Sequence, residues 1–182
     1  NPLSFARATT VSGNTTITSD RLNNGVGVNH TLGTLAIGAQ TLTVTNGSHV
    51  TSGTAGLTFG APTLTANGAV FDVAGGANLT LGAIGGNFDF TKQNSGTLTL
   101  NGASGRSAGT TTLSGGVLKI GNAAGAGTAA TSLRLNSGTL ALAIGGAVSA
   151  HTNNIVGGDV TIVSDLAVVG AGITYTLGLI TN

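Results

Sequence analysis

His30, His49 and His151 are the chain's only imidazoles, and Asp20, Asp72, Asp89, Asp159 and Asp165 are its only acids. An imidazole can exchange a proton near neutral pH or ligate a metal. A pair of carboxylates can hydrolyse a glycosidic bond. Either chemistry needs a shared geometry as well as the right residue types. The three histidines have no common spacing and read as loop or surface residues. Asp159 and Asp165 are the closest acids and stand at the two ends of one strand-like run. Asp72 and Asp89 alternate with apolar neighbours, in Phe71-Asp72-Val73 and Phe88-Asp89-Phe90, and face outward if the rings face in. No catalytic residue is assigned.

Other sites are equally thin. The run from Gly75 to Leu81 is faintly like the Gly/Asp-rich nonapeptide that binds calcium, but Asn78 replaces the Asp ligand and the unit does not recur. Gly145-Gly146 and Gly157-Gly158 are not followed by Lys-Ser/Thr, so no phosphate-binding loop is present. No metal-ligating or cofactor-binding residue is assigned, and no cofactor is expected. Asn14, Asn29, Asn46 and Asn78 each begin an Asn-x-Ser/Thr triplet, which matters only in a host that glycosylates Asn. The cations Arg7, Arg21, Lys92, Arg106, Lys119 and Arg134 are scattered, and read as charges that keep flat sheets soluble. A net charge of +1 gives no footprint for nucleic acid. Without cysteine, disulfide scaffolds and thiolate metal sites are excluded. No apolar run reaches the roughly 20 residues of a membrane-spanning helix.

What would position any such residue is a repeat. Leu35-Ala36-Ile37, Leu57-Thr58-Phe59, Leu79-Thr80-Leu81, Leu98-Thr99-Leu100, Leu118-Lys119-Ile120, Leu140-Ala141-Leu142 and Val160-Thr161-Ile162 share an apolar-x-apolar pattern. They recur about every 20 residues, with Ile17 in a weaker first member. Alternation of this kind marks a strand with one buried face. A looser series runs between them, through Leu42 and Val44, Leu64, Phe88 and Phe90, Leu113, Leu133 and Leu135, and Ile155. A thinner one includes Val50, Val70 to Val73 and Val168-Val169. Two or three short strands per period, with Gly or Asn at the corners, describe one coil of a solenoid. The expected fold is all-β: a right-handed parallel β-helix, one domain over residues 1–182, with eight or nine coils of about 20 residues. Its repeat coils occupy 15–177, after an N-terminal segment 1–14 and before an end at 178–182. The inward Leu and Ile should stack into aliphatic ladders, and outward Thr should stack on Thr.

The residues Phe90 to Gly102, with Lys92 and Gly96-Thr97-Leu98-Thr99-Leu100, are followed by Gly109-Thr110-Thr111-Thr112-Leu113 and by Gly116-Val117-Leu118-Lys119-Ile120. This stretch resembles the β-strand repeat associated with bacterial autotransporter passengers. Ser137-Gly138-Thr139-Leu140 opens a further unit. The aromatic usual before the Gly-Thr-Thr turn is missing from residues 103–108, and no membrane barrel is expected within residues 1–182. The resemblance implies a parallel β-helix outside a bacterial cell or on its surface, and no catalytic residue.

A solenoid's two ends expose strand edges and bare ladder. Leu3-Ser4-Phe5 at the start and Ile173, Tyr175 and Leu177 near the finish are strand-like, with no capping element. The expected role is a non-enzymatic structural unit that stacks on itself head to tail, as separate chains or tandem segments. An adhesin that binds a surface or carbohydrate is the alternative, and a strand-complemented antiparallel sandwich, as in pili, is the third reading.

Overall fold

A computed structural model describes residues 1–146, 151–164 and 175–181, together with the backbone but not the side chain of Thr152. These residues contain strands and turns and no helix, so none is long and apolar enough to cross a membrane. Every pairing between named strands is parallel. That excludes the antiparallel sandwich. The chain winds as a β-solenoid of about 7 turns with ~22 residues each. At about 4.8 Å per coil, the stack is roughly 35 Å long.

Two walls run the whole length. The first takes residues 3–5, Asn29–Leu32, Ala55–Phe59, Ala77–Leu81, Thr97–Leu100, 117–120, 138–142 and Val160–Ser164. The second takes Thr15–Ser19, Thr41–Asn46, Ala69–Val73, Phe90–Gln93, 110–113, 132–135, His151–Val156 and Gly178–Thr181. Thr110–Ile120 and Ser132–Leu142 are long strands that cross from the second wall to the first through a register shift. A third, shorter wall stacks Thr9–Val11, Leu35–Ile37 and Pro62–Leu64. Gly25–Val26 pairs with Val50–Ser52 at one corner of the early coils. Winding thus already includes residues 3–5 and continues to Thr181.

The aliphatic columns are real. Leu57, Leu79, Leu98, Leu118, Leu140 and Ile162 lie directly over one another, as do Phe59, Leu81, Leu100, Ile120 and Leu142. All but Ile162 are buried. Each such side chain gains roughly 1.5–3 kcal/mol from burial before entropy is subtracted, and only a neighbouring coil can supply the cover. On the outer face Thr18 Oγ1 and Thr45 Oγ1 meet at 3.0 Å.

The sequence series departs from this geometry in three places. Leu35 and Ile37 belong to the third wall, stacked on Pro62 and Leu64; the first-wall partner of Leu57 is His30. Ile17 lies on the second wall above Val44. Val160 pairs with Gly138, so Ile162 falls under Leu140 and not Leu142. The cause is uneven coil length. Equivalent residues stand 27 apart in the first coils, as at Thr18 and Thr45, but 21 apart midway, as at Asp89 and Thr110. The extra residues form the third wall and the small corner pair, so the coils are longer at the start than midway.

Candidate functional site: a buried polar thread and two uncovered ends

Inside the coils, polar side chains occupy places that the ladder would give to hydrocarbon. Lys92 stands in the column between Phe71 and Leu113 and is fully buried. Its ammonium donates to Gln93 O at 2.8 Å, Asn94 O at 2.7 Å and Gly115 O at 3.1 Å, closing the corner between the two long walls. Asn94 adopts φ +65° there. Gly116, at φ +64°, has no room for a Cβ: one would sit 2.3 Å from Asn94 O and 2.9 Å from Lys92 Nζ. Outside, Asp72 accepts from Gln93 Nε2 and Asn94 Nδ2. Burial pushes the Lys92 pKa down to about 8, and the charge of Asp72 opposes the fall.

Arg106 is 1% exposed. Its guanidinium donates to Thr111 Oγ1 (2.9 Å), Ala126 O (3.1 Å) and Phe88 O (2.7 Å), and lies 5.0 Å from the centre of the Phe90 ring. It thereby ties three successive coils together, and beside it Ser104 does the same for Ile84 N and Gly125 O. These contacts hold loops 101–109 and 121–131, which contain no strand. Burial lowers the Arg106 pKa to about 10, against the pull of Asp89. Lys92 and Arg106 are therefore interior clamps and not the solvated charges their type suggests. Arg134 is exposed, as its mid-triplet position implies.

The thread continues through Thr131, which donates to Thr128 O, to His151 Nδ1 at 2.9 Å. Asn154 Nδ2 then reaches the carbonyls of His151, Leu177 and Leu179. His151, 2% exposed, is thus an interior residue, contrary to the loop reading. His30 is also part of the winding: it accepts from Leu3 N at Nδ1 and contacts Asp20 O through Nε2. His49 pairs with the Asp20 carboxylate at 3.1 Å. Asp20 is held below the usual carboxyl range chiefly by the N–H of Arg21, with His49 adding to this and desolvation opposing it.

Desolvation lowers the His151 pKa, with the nearby Arg106 charge adding to the fall and hydrogen bonds at Thr131 and Thr128 opposing it. The folded pKa lies below the unfolded one, so below about pH 6.5 the unfolded chain binds more protons and stability falls with pH. His151→Asn should remove that dependence. Melting temperatures at pH 7.5 and pH 5 check it: the wild type should lose more on acidification than the variant.

Among the described residues no three His, Cys, Asp or Glu side chains gather to hold a metal ion. Asp165 lies outside the described residues, so its relation to Asp159 is not described. Asn14, Asn29 and Asn78 spend their side-chain amides on neighbouring coils, at Thr41 N, Thr58 Oγ1 and Thr54 Oγ1. The polar groups that do converge are engaged in holding coils together.

The ends differ from the interior. At the first coil Leu3 is 52% and Phe5 54% exposed; at the last, Ile162 is 42%, Leu179 65% and Ile180 52% exposed. Tyr175 and Leu177, expected at the assembly end, are instead partly buried against the core, with Tyr175 OH donating to Ile144 O at 2.7 Å. Ile173 and Val168-Val169 lie outside the described residues. No family model matches the chain, and no curated protein or solved structure matches it.

Proposed function

We propose that this chain is a non-enzymatic structural module whose solenoid stacks head to tail into a filament or stalk, outside a bacterial cell or on its surface. The observation that carries the reading is the apolar exposure at the two ends of the described winding: Leu3 and Phe5 at one, Ile162, Leu179 and Ile180 at the other. A heterologous contact between the two ends of identical units does not close, and so propagates. The interior clamps support the same role, since they tie successive coils rather than shape a reaction site. The resemblance of residues 90–122 to the autotransporter-associated repeat supports a place outside the cell.

Electron microscopy and sedimentation of the purified protein over a concentration series test this. Unbranched fibres with an axial repeat of about 4.8 Å are expected. Phe5→Asp, at a half-exposed position, should leave the fold intact and shift the material to monomer. Strictly monomeric wild-type particles at high concentration would overturn the reading.

A further inference from the structure

Resting on the stacking reading, we infer the register of the joint: the last first-wall strand of one copy pairs in parallel with residues 3–5 of the next, with Val163 opposite Ser4, Ile162 on Leu3 and Ser164 on Phe5. The occupant of each end is thus a second copy of this chain.

Three observations lead there. The first is the direction of the backbone groups. Along the first wall, carbonyls of inward residues point to the following coil: Gly82 N donates to Phe59 O, Asn101 N to Leu81 O, Gly121 N to Leu100 O and Ala143 N to Ile120 O, all at 2.8–2.9 Å. At the start, Leu3 O and Phe5 N are both turned to Thr31, at 2.8 and 2.9 Å. Alternate residues of a strand bond on alternate sides. The N–H and C=O of Ser4 therefore point away from the solenoid, while those of the inward residue Ile162 point past the last coil. The two ends are complementary only when an outward residue faces an outward residue, which excludes every odd shift of register.

The second observation selects among the even shifts. Ser4 bridges Thr31, which continues through Thr58, Thr80, Thr99, Lys119 and Ala141 to Val163. Val163 opposite Ser4 closes each column on itself. Leu3 then follows Ile162, and the large Phe5 follows the small Ser164. A shift of two residues would break both columns. The third is shape and charge. An apolar opening of about 270 Å³ lies at the first coil between Leu3, Phe5, Ile17, Leu32 and Leu57, where exposed aliphatic groups of the last coil can enter. In this register Asn1 falls opposite Val160, so Arg21, which lines the same opening as Asn1 and Leu3, comes to the side of Asp159.

The chain has no cysteine, so engineered thiols report without background. Directly opposed outward residues of paired strands fall within disulfide reach. Oxidised filaments of the double variant Ser4→Cys, Val163→Cys should give a ladder of covalent multimers on a non-reducing gel, collapsing to monomer with reductant. Ser4→Cys with Thr161→Cys, two residues out of register, should give none. Filaments without the Ser4–Val163 ladder, or an equal ladder from both pairs, would overturn the register and leave the stacking reading intact. Dimers from Ser4→Cys alone would mean head-to-head contact and overturn both, as would the absence of filaments.

Discussion

Lys92→Met should lower the free energy of unfolding by about 2–4 kcal/mol, read as a fall in the urea midpoint at unchanged slope. Methionine fills the column between Phe71 and Leu113 nearly as well as the lysine stem, so hydrocarbon packing is largely kept. What disappears is the donor shared by Gln93 O, Asn94 O and Gly115 O, and a buried carbonyl left without one costs about 1–3 kcal/mol. Release from burying a cation offsets part of the loss. The pH dependence separates this account from a packing defect. The folded pKa is about 8 against an ordinary 10.5. Between those values the unfolded chain holds more protons, so the wild type should gain stability as pH rises, by at most about 1.4 kcal/mol per unit. Lys92→Met should lack that rise. Equal slopes in the two proteins, or a midpoint unchanged at pH 7, would show that the ammonium does not clamp the corner.

The clamp also shows where sequence reasoning reached its limit. Parallel winding was legible because apolar-x-apolar triplets recur where no helix-forming run exists, and Leu57 to Leu142 do stack as the pattern implies. Which wall a triplet occupies was not legible. Leu35-Ala36-Ile37 has the same pattern as Leu57-Thr58-Phe59, yet a third wall takes it, and His30-Thr31-Leu32 holds the first-wall position under a polar residue. Alternation fixes which side chains face in, but carries no information on the corner between two strands. The buried cations were missed for a related reason. Lysine and arginine are almost never fully buried unless paired, so residue type alone argues for the surface. The available signal was the company they keep. Lys92, Gly109 and Gly116 belong to the stretch that resembles the autotransporter-associated repeat, and the two glycines abut the clamps: a Cβ on Gly109 would lie 2.9 Å from Arg106 Nη2, and one on Gly116 2.9 Å from Lys92 Nζ. A motif pairing a cation with glycines of positive φ marks a place where backbone carbonyls converge on a buried donor.

Arg106→Leu should be the more damaging change, at about 3–5 kcal/mol. The guanidinium serves Phe88 O, Ala126 O and Thr111 Oγ1 from two nitrogens and covers the Phe90 ring. Leucine can fill part of the volume but leaves all three oxygens without this donor and forfeits the cation–π contact, which is worth about 0.5–2 kcal/mol. Because the loops that Arg106 ties together contain no strand, the ladder hydrogen bonds of the walls cannot take up the strain. Arg106→Lys should recover less than half of the loss, since one ammonium on a flexible stem cannot reproduce a planar fork that spans three coils. Hydrogen exchange locates the effect. Protection should fall first at Ser104, whose N–H donates to Ala124 O, and at Thr128, whose N–H donates to Arg106 O, while Leu98 and Leu118 in the first wall stay protected until global unfolding. Full rescue by lysine, or uniform loss of protection along both walls, would show that the charge is incidental and that the aliphatic columns alone hold the loops.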